Sequence, residues 1–186
     1  MAFFTGTYPP DLPQDSNGGF LGLVNNPFNP ANTYFPATVG VEFDAFRNDW
    51  DPKNTMSHVG VDVNNISSAA YAALPDGCFN GAMSAWVRYD ANASRLSVTL
   101  RFDDQPGLGI YNVSAPVDLR EEGLPRQAGW GSRRPPGIAS RAIRSFLGRS
   151  GPLSPTLPSS TRPASGFPFL TCIPSCFSLL VMMIYG

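Results

Sequence analysis

Short segments in the middle of the chain alternate apolar and polar residues. In RLSVTLRF, at residues 95–102, every second side chain is apolar, which is typical of a half-buried β-strand. Four other segments are equally short and rich in β-branched and aromatic residues: TVGVEFDAF, HVGVDVN, SAWVRYD and GIYNVSAPVDL. Clusters of Asn, Asp, Gly or Pro separate them, and no amphipathic helix pattern accompanies them. The pattern predicts an all-β sandwich built from these five strands.

The two ends of the chain have a different texture. Residues 1–36 are predicted to be irregular, because YPPDLPQDSNGG and NNPFNPAN are turn signals. Residues 126–166 are rich in Arg, Pro, Ser and Gly without periodicity, which predicts a disordered segment. Residues 167–186 form an uncharged apolar tail, interrupted by Pro168 and Pro174. A membrane anchor is therefore disfavoured against a tail of accidental apolar composition. The folded domain is expected at 1–125.

The charges divide at the same place. The formal net charge is only −1, yet all fourteen Asp and Glu residues lie at or before Glu122, and seven arginines and no acids follow. A basic segment can bind nucleic acid, but neither a helix pattern nor an aromatic platform accompanies this one, so no nucleic-acid partner is expected. The abrupt loss of acids and of periodicity resembles translation in a shifted frame.

Two features bear on the cellular compartment. The three cysteines are too few for a disulfide framework, and no secretory signal opens the chain. Three N-glycosylation sequons begin at Asn65, Asn92 and Asn112, which points to secretory ancestry unless they arose by chance.

The acidic stretch VEFDAFRNDWDPKNTMSH, at residues 41–58, carries the candidate chemistry and ends on the only histidine, His58. If VEFDAF is a strand, Glu42 and Asp44 share one face, about 7 Å apart along the strand. Two anions on one face repel each other unless a cation lies between them. No Lys or Arg has the matching parity. The stretch therefore indicates a metal site, with a solvated acidic loop and a surface histidine as the alternative.

Two kinds of cation fit the available donors. Carboxylates with an imidazole suit a first-row transition ion such as Mn²⁺ or Zn²⁺. That set consists of Glu42, Asp44, Asp51 and His58. Asp44 and Asp51 can also bridge to a Ca²⁺ ion, which prefers a shell of oxygen ligands. The Asn48 amide and the main-chain carbonyl near Phe46 would complete the set of ligands of this Ca²⁺ ion.

The stretch closely resembles a known family. VGVEFDAFRNDWDPKNTMSHVGVDVNNISS is similar to the metal-binding core of the legume (L-type) lectins, including the lectin domains of plant lectin receptor kinases. GGFLGLVNN, RLSVTLRF and VDLREEGLP fit that family in the same order, and the resemblance covers roughly residues 1–125. It implies a flattened jelly-roll β-sandwich that holds Mn²⁺ and Ca²⁺ side by side.

The resemblance also implies a function. In the family the metals fix a loop and do no chemistry, so a carbohydrate-binding protein and not an enzyme is expected. Ca²⁺ ligation by Asn48 would aim its NH₂ group at a sugar hydroxyl, and the ring of Phe46 would face the pyranose. Gly19 is implied as a backbone N–H donor to the sugar. Trp50 is expected to pack in the interior more than to line the rim. The partner would be a mono- or oligosaccharide, and a homodimer stays open.

The chain also departs from the family pattern. The sugar-anchoring Asp that precedes the segment matching MAFF is absent, and so is the strand that should follow VDLREEGLP. A truncated domain with weakened sugar binding is therefore expected. A non-functional fragment of a lectin receptor kinase is one alternative. A metal-dependent hydrolase using Glu42 or Asp44 is another, although the single histidine leaves it short of a general base. The family is extracellular or at the plasma membrane, but the missing signal peptide leaves the location of this chain open.

Overall fold

The computed structural model describes residues 2–7 and 12–124, together with the backbone of three later strands. Ten strands, β1 to β10 in chain order, are Ala2–Thr7, Thr38–Asp44, Ser57–Val63, Ala70–Leu74, Met83–Asp90, Arg95–Phe102, Ile110–Pro116, Ala128–Arg133, Ile143–Leu147 and Phe177–Ile184. The only helices among the described residues are 3-10 turns at Gly18–Phe20 and Pro106–Leu108. In this part of the chain no helix is long and apolar enough to cross a membrane.

The strands form two antiparallel five-stranded sheets. The first sheet has the order β4-β3-β2-β1-β8, and the second has the order β7-β6-β5-β10-β9. The connection from β5 to β6 is a tight turn, so Asp90 pairs with Arg95. The all-β sandwich predicted from the sequence is thus confirmed, and so are its five strands, which are β2, β3, β5, β6 and β7.

Five of the ten described strands were not predicted: β8, β9 and β10 lie in the C-terminal third, and β1 and β4 lie before it. The interpretation of residues 1–36 as irregular was wrong for Ala2–Thr7, which lies between β2 and β8 in the first sheet. AFFTGT is too short and too weakly alternating to reveal this strand, which depends on its two neighbours for hydrogen bonds. Ala70–Leu74, with the sequence AYAAL, was also missed because alanine has a low β-propensity.

The first sheet is covered on both faces. Its inner face packs on the second sheet in one apolar core, in which Phe43 and Val61 meet Leu100 and Val98. Its outer face is covered near β1 by the segment 20–24, which packs with Ala2, Phe4 and Ile66. This double coverage makes every residue of β2 buried, whichever way its side chain points.

Predictions for the C-terminal third fall mostly outside the described residues. The structure describes only the backbone of β8 and β9 within the segment 126–166, which was predicted to be disordered, and of β10 within the tail 167–186. For the other residues of both segments the predictions stay predictions.

Candidate functional site

The outer face of β2 and β3 carries the acidic residues of the chain's candidate site. The antiparallel register places Asp44 opposite His58 and Glu42 opposite Gly60. Asp62, opposite Gly40, extends the same face by one more pair. Side chains alternate along a strand, so these polar residues share one face while the valines between them point into the core. We call Glu42, Asp44, His58 and Asp62 the outer-face cluster.

Glu42 and His58 form the centre of the cluster. The His58 Nε2 atom lies 2.9 Å from Glu42 Oε1, and both side chains are only 1% exposed. The hydroxyl of Ser68 donates a hydrogen bond to the same Glu42 oxygen. Gly60 makes this convergence possible, because a Cβ atom there would lie 2.7 Å from Glu42 Oε1 and would also meet Ser68.

The carboxyl of Asp44 is held at the end of β2. Its Oδ1 atom accepts a hydrogen bond of 2.9 Å from the Phe46 N–H. Burial raises the pKa of Asp44, the bond from Phe46 partly offsets that effect, and the charges of Glu42 and Asp51 raise the pKa further. Asp44 is therefore a carboxylate whose negative charge its protein surroundings disfavour.

The same negative charges stabilise the protonated, positively charged form of His58. Burial alone would lower its pKa, but the bond to Glu42 and the charges of Glu42, Asp44 and Asp51 outweigh this, so the pKa of His58 is raised. Positive charge is thus stabilised at the position where Asp44 and Glu42 repel each other. A cation of any kind would lower the electrostatic free energy of this face.

Asp62 is the member of the cluster that the sequence analysis did not identify. It is 2% exposed, and burial and the neighbouring Glu42 hold its pKa well above the usual range of a carboxyl. The alternation in HVGVDV could have revealed it, because Asp62 has the same parity as His58 and Gly60. Ser68 could not have been found this way, since it reaches Glu42 from a loop 26 residues away in sequence.

The loop after β2 joins the cluster to the surface. Both the backbone N–H of Asn48 and its side-chain NH₂ donate hydrogen bonds to Asp51 Oδ2, the latter at 3.2 Å. The other end of the Asn48 amide faces Gly19, where a Cβ atom would lie only 2.6 Å from Asn48 Oδ1. Gly19 is therefore a glycine because the Asn48 side chain leaves no room for a larger residue. Two segments far apart in sequence meet at this contact.

The loop after β2 also carries two aromatic side chains. Phe46 is 68% exposed, although its N–H is bonded to Asp44. Trp50 is half-buried, as its predicted packing role requires, and its ring lies 4.9 Å from the ring of Phe20 in a stacked arrangement. Trp50 also touches the Gly19 position, where a Cβ would lie 2.8 Å from its Cζ2 atom.

Five buried polar atoms in the cluster and at Asp51 have no hydrogen-bond partner within the described residues. They are Glu42 Oε2, Asp51 Oδ1, His58 Nδ1 and both carboxyl oxygens of Asp62. Buried polar atoms normally have a partner, and acceptors without one are where a cation or water is expected. Over the same described ranges, however, no three His, Cys, Asp or Glu side chains converge closely enough to hold a metal ion as they stand.

The structure therefore brings most of the predicted site together. Glu42, Asp44 and His58 share the outer face of adjacent strands, and Asn48 contacts both Asp51 and Gly19. The acidic loop is not solvated as a whole, because Glu42, Asp44 and His58 are buried. Of the four Asp and Glu residues in this stretch, only Asp49 is exposed.

Comparisons with known proteins identify relatives of this chain. Residues 1–128 match the model of the legume lectin domain. Lectin 6 of Medicago truncatula is 40% identical over 128 residues, which cover 64% of this chain and 44% of that protein. The structure of the Lotus tetragonolobus seed lectin aligns with a TM-score of 0.55 and 30% identity, over 68% of this chain and 51% of that one.

A second solved structure is similar to the same degree. The basic winged bean lectin with Tn-antigen has a TM-score of 0.56 and 31% identity, over 69% of this chain and 48% of that one. The chain thus spans about half the length of the relatives that it matches.

Proposed function

The chain belongs to the legume lectin domain family, and on this basis we propose that it binds carbohydrate without catalysing a reaction, at a site formed by Gly19, Phe46 and Asn48. The observation that carries the proposal is the contact of the Asn48 amide with the Gly19 peptide, beside Trp50. The exposed ring of Phe46 belongs to the same loop, two residues before Asn48. A few polar groups beside an apolar face are what a sugar ring requires.

The outer-face cluster fits the cations that the family implies. Glu42, Asp44, Asp51 and His58 would hold Mn²⁺, and their donor atoms are the carboxylates and imidazole that such an ion prefers. The unpartnered Glu42 Oε2 and Asp51 Oδ1 atoms support this assignment, and so do burial and the charges of Glu42 and Asp51, which raise the pKa of Asp44.

A neighbouring Ca²⁺ ion would be held by oxygen atoms alone. Its ligands would be Asp44, Asp51, Asn48 and the main-chain carbonyl of Phe46. The bound ions would supply fixed positive charge that orders the loop 44–51. The residues of that loop would then bind the sugar.

Asn48 connects the metal site to the sugar site. As the structure stands, its NH₂ group donates to Asp51 and its carbonyl oxygen faces Gly19. As a Ca²⁺ ligand, Asn48 would use its carbonyl oxygen, because an NH₂ group cannot bind a cation. The amide would then offer donors to a sugar hydroxyl.

Affinity chromatography tests the proposal. The purified chain is applied, with Ca²⁺ and Mn²⁺, to agarose carrying galactose, N-acetylgalactosamine, mannose or fucose. We expect retention on at least one resin and elution by EDTA. Asn48→Ala should weaken binding of the retained sugar about tenfold or more in calorimetry, since it removes a sugar donor and a metal ligand together.

Asn92→Ala is the matched control, because Asn92 is an exposed asparagine in the turn between β5 and β6 of the second sheet. It should bind as the unaltered chain does. Retention that survives both EDTA and Asn48→Ala would contradict the proposed site.

A further inference from the structure

Phe28 is an exposed aromatic ring that the proposed sugar site does not use. Its side chain is 70% exposed, in the loop between the Gly18–Phe20 turn and β2. Its ring nevertheless has a defined position, since it lies 5.8 Å from the ring of Trp50 in a stacked arrangement with an interplanar angle of 29°. An apolar ring that is exposed and also held in place differs from a scattered surface residue.

The loop around Phe28 is ordered by its own hydrogen bonds. The Phe28 N–H donates to Asn26 Oδ1 at 2.9 Å, and the Asn32 side chain donates to the Asn26 carbonyl at 3.0 Å. Asn29 anchors the loop to a different segment by donating to Asp15 Oδ2 at 2.6 Å. Binding to this ring would therefore cost little conformational entropy, because the loop is already ordered.

Trp50 connects Phe28 to the sugar site. The three rings of Phe20, Trp50 and Phe28 stack in sequence, and their exposure rises from buried through half-buried to exposed. The Cζ2 edge of Trp50 also lies against Gly19, as the 2.8 Å approach of a Cβ there shows. One indole therefore separates the exposed face of Phe28 from the peptide proposed to meet the first sugar.

We propose that Phe28 forms a second stacking platform, which binds the pyranose adjacent to the one held at Gly19 and Asn48. The ligand of this chain is then an oligosaccharide of at least two units, and the second ring supplies affinity that a monosaccharide lacks. This inference rests on the proposed sugar site and adds a subsite to it.

A sugar ring is the occupant that suits the chemistry of this surface. Phe28 offers a flat apolar face and no charge, and the side chains of the neighbouring asparagines are engaged in hydrogen bonds that hold the loop around it. A pyranose presents an apolar C–H face that matches such a ring, with its hydroxyl groups at the edge. A protein partner would need a far larger apolar patch than one ring.

Calorimetry on matched ligands tests the subsite in the metal-loaded protein. The pairs are methyl β-galactoside with lactose, methyl α-galactoside with melibiose, and methyl α-mannoside with α1,2-mannobiose. We expect the disaccharide of at least one pair to bind more tightly than its methyl glycoside. Phe28→Ala should remove a roughly two- to tenfold advantage and leave the methyl glycoside unchanged. Phe28→Tyr should keep the advantage.

Tyr34→Ala is the matched control, because Tyr34 is 68% exposed in the same loop and its backbone carbonyl, which accepts a hydrogen bond from Asn25, is unaffected by the substitution. It should leave both affinities unchanged. The inference is overturned if no disaccharide is preferred, if Phe28→Ala keeps the preference, or if Tyr34→Ala abolishes it equally. An equal loss for monosaccharide and disaccharide in Phe28→Ala would also overturn it, by placing Phe28 in the first site. If no saccharide binds the unaltered chain, the proposed function fails and the inference with it.

Discussion

Strands β2 and β3 have two faces that are buried for different reasons. The inner face presents Val41, Phe43 and Val61 to the second sheet, and these side chains need only to be removed from water. The outer face presents Glu42 and His58, which are equally buried and interact through specific atoms at 2.9 Å. One pair of strands thus combines an apolar face, whose side chains need only burial, with a polar face, whose buried groups need specific interaction partners.

The difference concerns what each face contributes to the free energy of unfolding. Burial of one Val or Phe side chain contributes about 1.5–3 kcal/mol, whatever the orientation of its neighbours. Buried carboxyl groups are costly unless they are paired, and the raised pKa values of Asp44 and Asp62 reflect that cost. We therefore expect the inner face to stabilise the fold at any metal concentration and the outer face to do so only with bound cations.

Phe43→Ala should give the largest effect. The side chain is 3% exposed in the core between the sheets, so its truncation should lower the free energy of unfolding by about 3–5 kcal/mol. Urea denaturation with EDTA and with Ca²⁺ plus Mn²⁺ should show the same loss in both conditions. If Phe43→Ala does not fold, Phe43→Leu measures the same metal independence with a smaller loss. A loss that appears only with metal would contradict the separation of the two faces.

Glu42→Gln should give an intermediate effect of a different kind. A ligand at about one hundred times its Kd stabilises the folded state by about 2.7 kcal/mol, and the unaltered chain should show this increment when Mn²⁺ and Ca²⁺ are added. Replacing the central carboxylate by an amide of the same shape should remove most of the increment. The measurement is the difference between melts with metal and with EDTA.

Glu121→Gln serves as the control for this charge change, because Glu121 is exposed in the turn that follows β7. It should keep the full increment. An increment that persists in Glu42→Gln would mean that the ions bind elsewhere.

Gly60→Ala should give the smallest effect, and it tests the packing of Gly60 against Glu42 and Ser68 on the outer face. The added Cβ would meet Ser68 and lie 2.7 Å from Glu42 Oε1, so we expect a loss of about 1–3 kcal/mol in the free energy of unfolding. Ser68→Ala removes one of the two obstacles. In a double-mutant cycle the paired substitution should therefore cost less than the sum of the single ones. Strict additivity would show that Gly60 is not a glycine for the sake of this contact.

The sequence was informative where the signal is periodic. The alternation in VGVEFD and HVGVDV predicted β2 and β3 and placed Glu42 and Asp44 on one face, because parity along a strand is a local property. It failed for Ala2–Thr7, whose place between β2 and β8 depends on its partners.

The candidate site divides in the same way. Glu42, Asp44 and His58 could be grouped from spacing and strand parity, since the loop 45–56 brings β3 back beside β2. No pattern in the sequence could show that the ring of Phe28 stacks on Trp50, or that Ser68 reaches Glu42. Such contacts join segments whose separation in sequence carries no information about their distance in space.

The sequence by itself therefore determined the strand pattern, the parity of the acidic residues and the family to which the chain is similar. The tertiary structure alone decided that both faces of β2 are buried, because the segment 20–24 folds over the outer side of the first sheet. That coverage changes the energetic cost of the charged carboxylates. On an open face water would solvate them, whereas under this cover their charge must be balanced by His58 or by a cation.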